Sequence, residues 1–102
     1  MLIVGGVFEV DPEQRDAFLA SRVEAMQRSR AEAGNQEYVL AADPVEPSRV
    51  ILFEIWDDQA SLDAHLAAMR TDVPAAPPAG EVPAPRSAAI QIYDVSGTRN
   101  LR

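Results

Sequence analysis

Cysteine and lysine are both missing from this 102-residue chain. Without cysteine there is no disulfide, no thiolate metal ligand and no thiol nucleophile. With one histidine, His65, a metal site built from several imidazoles of one chain is excluded. The nine basic residues are all arginine and face sixteen carboxylates, for a net charge of −7. So acidic a balance argues against nucleic acid or an anionic membrane as partner. No apolar run approaches the ~20 residues of a membrane span. The opening MLIVGGVFE has no basic start and reaches Glu9 too early for a secretory leader, so a cytoplasmic location is expected. Aromatics are scarce as well, with a single tryptophan, Trp56.

What is present is organised around Arg49 to Arg70, RVILFEIWDDQASLDAHLAAMR. Val50 to Trp56 reads as a strand whose two faces are Val50, Leu52, Glu54, Trp56 and Ile51, Phe53, Ile55. Both faces carry large apolar groups, so both must be covered. After a turn, Leu62, His65, Leu66 and Met69 recur at helical spacing, with Asp57 or Asp58 as the cap. The only histidine therefore lies on an apolar helix face just after the only tryptophan.

The remaining segments fall in line. Leu2 to Val10 is a strand with Leu2, Val4, Phe8 and Val10 opposite Ile3 and Val7. Gly5-Gly6 interrupts it, which marks a bulge or a close approach by another group; a gap there would also leave room for a ligand. Asp11-Pro12-Glu13 starts a helix expected to run to about Ala33 and to stop at Gly34-Asn35. Its expected buried stripe is Leu19, Val23, Met26 and Ala33, with Phe18 beside it, and Glu24–Arg28 forms a helical pair. Arg22 and Arg30 lie on other faces, solvated or reaching towards an anionic ligand. Gln36 to Ala42 is a second strand carrying Tyr38 and Leu40, and a turn with two prolines follows it. Five of the eight prolines fall between Thr71 and Pro85, so an extended loop is expected over 71–87. Ala88 to Val95 is a fourth strand, with Ile90 and Ile92 opposite Gln91 and Tyr93. One domain over 1–96 and a tail over 97–102 complete the chain.

The order β-α-β-β-α-β implies an α+β, ferredoxin-like fold, a four-stranded antiparallel sheet with two helices on one face. Nothing then remains to cover the second face, and exposing several large side chains costs about 1.5–3 kcal/mol each. A second copy packed sheet to sheet is the simplest cover, so a homodimer is expected.

Glu54-x-Trp56, an acidic turn and Leu62-x-x-His65-Leu66, with Gly34-x-x-x-Tyr38 upstream, resemble the antibiotic biosynthesis monooxygenase domain family. The likeness covers residues 1 to 70 well and extends to the last strand. It implies a dimeric α+β barrel with a pocket between sheet and helices in each protomer. Some members oxygenate aromatic polyketides or quinols with no metal or flavin, others degrade haem, and many have no assigned reaction. Three features depart from the family. Leu52 stands where anthrone oxygenases carry asparagine. Gly5 and Gly6 replace the first-strand asparagine of the haem degraders, and no histidine follows His65. The proline-rich loop also replaces an apolar helical segment.

The resemblance implies cofactor-free oxygenation of a small aromatic or quinone-like molecule, with no metal. His65 is the one side chain whose residue type suits a base near neutral pH. Trp56 offers an apolar wall and an indole donor, and Tyr38 or Tyr93 would donate to a carbonyl. Glu54, isolated in an apolar strand, needs a partner, either an arginine or His65. Tyr38, Glu54, Arg22 and Tyr93 are the candidate substrate contacts; His65 and Trp56 are the candidate catalytic pair. Each also has an ordinary structural role: His65 as a hydrogen-bonded core residue, Trp56 as a core or interface anchor. The competing function is a non-catalytic dimeric module that binds a small molecule or serves assembly.

Overall fold

A computed structural model describes residues 1–71 and 84–102. Its elements are β1 (Leu2–Glu9), α1 (Arg15–Arg30), β2 (Asn35–Ala42), β3 (Arg49–Trp56), α2 (Gln59–Thr71) and β4 (Ser87–Asp94). The strands form one antiparallel sheet in the order β2-β3-β1-β4. This is the ferredoxin-like βαββαβ arrangement, with the two helices on one face. The body of the expected 71–87 loop lies outside the described residues.

The first helix is shorter than its pattern predicts. Asp11 does cap, its carboxylate accepting from the Glu13 N–H at 2.9 Å, but Pro12–Gln14 forms a 3-10 turn before α1 begins. At the other end the Ala31 N–H bonds back to the Arg28 carbonyl and the Glu32 N–H to that of Ser29. The chain then turns through Gly34 at φ 84°, a conformation glycine adopts without strain. The expected stripe shifts accordingly. Ala33 falls beyond the helix and is exposed, Val23 is 46% exposed, and the buried positions are Phe18 and Ser29. Leu19 and Met26 are half-buried and pack on the core as expected. The Glu24–Arg28 pair does not close, since neither residue makes an ion pair among the described residues.

The sheet divides the apolar residues as the alternation requires. On the helix side Leu2, Val4, Tyr38, Leu52, Trp56 and Leu62 form one buried cluster, and Val10, Phe18 and Val50 form another. Phe8 and Leu40 touch both, and the Phe8 and Phe18 rings meet at 5.9 Å. The opposite face holds Ile3, Val7, Ile51, Phe53, Ile55 and Tyr93, with Phe53 38% and Tyr93 50% exposed. No helix of the described residues is long and apolar enough to cross a membrane.

The glycine pair is not a bulge. β1 pairs without a break through Gly5 and Gly6 to both β3 and β4. The close approach is real instead, and it is made by β4. A Cβ on Gly6 would run into the Ala89 carbonyl oxygen and sit 2.6 Å from the Ile90 Cα. A Cβ on Gly5 would meet Tyr93 Cε2 at 3.7 Å, an ordinary contact. Gly6→Ala should therefore cost about 1–3 kcal/mol, as overpacking against backbone does. Gly5→Ala should change stability by less than about 1 kcal/mol. Urea denaturation of the two variants checks this, and equal losses would contradict it.

Candidate functional site

Three strands and both helices bring the polar groups of the site together. Pairing across the sheet sets Val4, Glu54 and Tyr38 in one row on the helix side. α2 is started by Asp58, whose Oδ1 accepts from the Ser61 N–H and hydroxyl, each at 2.8 Å. Asp58 rather than Asp57 is thus the cap, and those bonds hold its carboxyl below the usual carboxylate range. Two turns on, α2 delivers Leu62 and His65 to the sheet, both 2% exposed. α1 and the turn after it supply Ser29 and Glu32.

His65 does not pair with Glu54. Its Nδ1 lies 2.7 Å from Glu32 Oε1, a carboxylate from the end of the α1 segment. With Nδ1 carrying the proton, Glu32 accepts it and the ring is held in the tautomer that leaves Nε2 as an acceptor. Among the described residues Nε2 has no hydrogen-bond partner, whereas every sealed side-chain nitrogen or oxygen has one. Nε2 is therefore open to the cavity that His65 lines. The imidazole meets two aromatic rings at tilted angles, its centroid 4.7 Å from that of Trp56 and 5.5 Å from that of Tyr38.

Glu54 finds its partner two residues along its own strand. The Trp56 indole Nε1–H donates to Glu54 Oε1 at 2.8 Å. Neither an arginine nor His65 fills that role. Burial raises the Glu54 carboxyl above its usual 4.5; the indole hydrogen bond and the nearby His65 oppose the rise, and Glu32 adds to it. Burial also pushes the Tyr38 hydroxyl up to about 12, with Glu54 reinforcing it and Arg22 and a Ser29 hydrogen bond working against it. At neutral pH Tyr38 is thus a donor and not a base. Its backbone carbonyl is held by Arg30 Nε at 2.8 Å, so Arg30 serves structure.

Between α1, α2 and the sheet lies a cavity of about 620 Å³. Four sequence-predicted residues, Arg22, Tyr38, Glu54 and His65, line it. Trp56 is fully buried and stands behind His65, so it supports the cavity wall without lining it. Tyr93 is not brought to this site. It lies on the helix-free face, where its hydroxyl donates to Gln91 Oε1 at 3.0 Å. Ser29 and Glu32 are the residues the sequence reading missed. Phe18, Arg22, Ala25 and Ser29 share one helical face, and following that face to the chain beyond it would have reached Glu32. Among the described residues no group of three or more His, Asp or Glu side chains gathers as a metal-binding set.

Because Glu54 has a raised pKa in the folded state, stability is fullest while it is protonated and declines as pH rises above the unfolded value of 4.5. Glu54→Gln removes that dependence while keeping an oxygen for the Trp56 indole. Relative to wild type, its melting temperature should rise progressively from pH 4.5 upward. Thermal denaturation at a series of pH values checks this, and a constant difference between the two proteins would refute it.

The antibiotic biosynthesis monooxygenase family model matches residues 1–70. YcnE of Bacillus subtilis, described as a putative monooxygenase, is 34% identical over 65 residues, spanning 64% of this chain and 68% of YcnE. A Deinococcus radiodurans structure bearing the same family name superposes with a TM-score of 0.76 at 20% identity, over 100% of this chain and 99% of that one. The haem degrader MhuD of Mycobacterium tuberculosis superposes with a TM-score of 0.73 at 12% identity, over 98% of this chain and 100% of MhuD. At those identities the two structures share a fold with this chain and nothing finer. Fold, family model and the YcnE likeness agree: the chain belongs to the antibiotic biosynthesis monooxygenase family.

Proposed function

We propose that the protein is a cytoplasmic homodimer that oxygenates a small aromatic or quinone-like molecule, without cofactor, in the cavity between sheet and helices. The observation that carries this reading is the state of His65. Glu32 holds Nδ1, Nε2 opens onto the cavity, and Tyr38 stands beside the ring as a protonated donor. That is the equipment for removing a proton from an acidic phenol or anthrone and steadying the charge that develops. Glu32 would stabilise the imidazolium so formed. The electron-rich anion then passes one electron to molecular oxygen, and the resulting pair combines. Conversion of a ring CH₂ to a carbonyl uses one O₂ and releases one water, so no external reductant is needed. The cavity's largely apolar lining suits such a ring.

The second copy is part of this reading. The helix-free face carries Ile3, Val7, Ile51, Phe53 and Ile55 beside Tyr93, an apolar surface that a partner's equivalent face would remove from water. Sedimentation at micromolar concentration should give a species of twice 11.1 kDa, and a stable 11.1 kDa monomer would count against the dimer.

One observation favours the other reading, a non-catalytic binding module. Leu52 lines the cavity where anthrone oxygenases carry asparagine, so one polar handle is absent. Oxygen uptake with a panel of anthrones and quinols, in the presence of a chelator, separates the two. The oxygenase reading expects saturable uptake that falls by about 10²–10⁴-fold in His65→Ala. Saturable binding with no oxygen consumed would establish the module instead.

A further inference from the structure

We infer that the cavity takes an aromatic acid, its anionic group held by Arg22; this names the substrate class of the site proposed above and rests on that reading. The inference starts from what the other arginines do. Arg15 donates to the carbonyls of Asp43, Glu46 and Arg49, and Arg30 to that of Tyr38. Arg49 pairs with Asp43 and Glu9, and Arg86 with Asp11. Each of these is committed to structure. Among the described residues Arg22 has no carboxylate within ion-pair distance and no hydrogen-bond partner. Its guanidinium lies 5.1 Å from the Phe18 ring centroid, a cation–π contact that keeps it at the cavity without consuming its donors. Arg28 also lines the cavity and is likewise unpaired.

Arg22 brings a guanidinium to the cavity over the Phe18 ring, in the same lining as Tyr38, Glu54 and His65. A guanidinium takes a carboxylate through two parallel N–H donors. An aromatic that carries both a carboxylate and an ionisable hydroxyl would therefore find a partner for each in one cavity.

Titration calorimetry with 6-hydroxy-2-naphthoate and its methyl ester tests this on the full chain. The acid should bind at least about tenfold more tightly than the ester, as a charge-assisted contact in a partly closed site provides. Arg22→Gln should abolish that preference by weakening the acid and leaving the ester unchanged, and Arg22→Lys should keep part of it. Equal affinity for acid and ester, or a preference that survives in Arg22→Gln, would overturn the inference while leaving the proposed function standing. Failure of both probes to bind would overturn the aromatic-binding reading and this inference with it.

Discussion

The structure turns on β3, a central strand apolar on both faces with one carboxylate in it. Strand alternation allows no compromise: Val50, Leu52, Glu54 and Trp56 go to one side, Ile51, Phe53 and Ile55 to the other. A slip of one residue against β1 or β2 would exchange the two sets and send Glu54 to the helix-free apolar face. Trp56 would move with it, so the pair would keep its bond and lose the helices that cover it. The register is therefore fixed by a polar residue as much as by the apolar ones. The Trp56–Glu54 bond makes the arrangement tolerable, since it satisfies the carboxylate from within the same strand. With that bond in place, both helices can close over the row that contains it.

The polar groups of the site then sort by which of their atoms are occupied. Glu54 Oε1 is held by Trp56 and His65 Nδ1 by Glu32. Packing fixes each side chain through one atom and leaves His65 with a second atom open. A site built this way needs little reorganisation when a ligand arrives, because its supports already exist without it. The support is also long-range. Glu32 and His65 are 33 residues apart, one in the turn after α1 and the other on α2, so the imidazole's orientation reports that α1 and α2 are docked correctly on the same sheet. A disturbance of either helix end reaches the base without touching the cavity.

Element order, strand faces and family were legible from the sequence because they rest on periodicity and local chemistry. The alternation in Val50 to Trp56 and the Leu62–His65 spacing each need only a few neighbouring residues. The misses share one physical character. Glu32 as the partner of His65, and Trp56 as the partner of Glu54, depend on which of several polar groups arrives within 3 Å, and spacing along the chain does not decide that. The α1 stripe shifted because the helix stops at Arg30, which puts Ala33 outside it, and because its line of contact follows Phe18, Arg22, Ala25 and Ser29. That line carries two polar residues, so an apolar template slid past it to Val23. Gly5-Gly6 was read as a bulge or a close approach; only the position of β4, far along the chain, decides for the latter.

The same strand order explains why the cavity exists at all. α1 packs chiefly on β2 and α2 on β3, so the helices lie over one half of the sheet. β4 is at the opposite edge, and its Ile90 and Ile92 point to the helix side yet are 39% and 53% exposed. Leu66 and Met69 of α2 are similarly half-open, and all four line the cavity. Among the described residues a two-helix cover on a four-stranded sheet leaves an apolar wall without a partner, and at about 25 cal/mol per Å² such a wall favours whatever apolar body can displace its water. Under the proposed function a flat aromatic ring would lie against Ile90, Ile92, Leu66 and Met69, and the apolar contact would drive entry while the polar groups of the lining set its orientation.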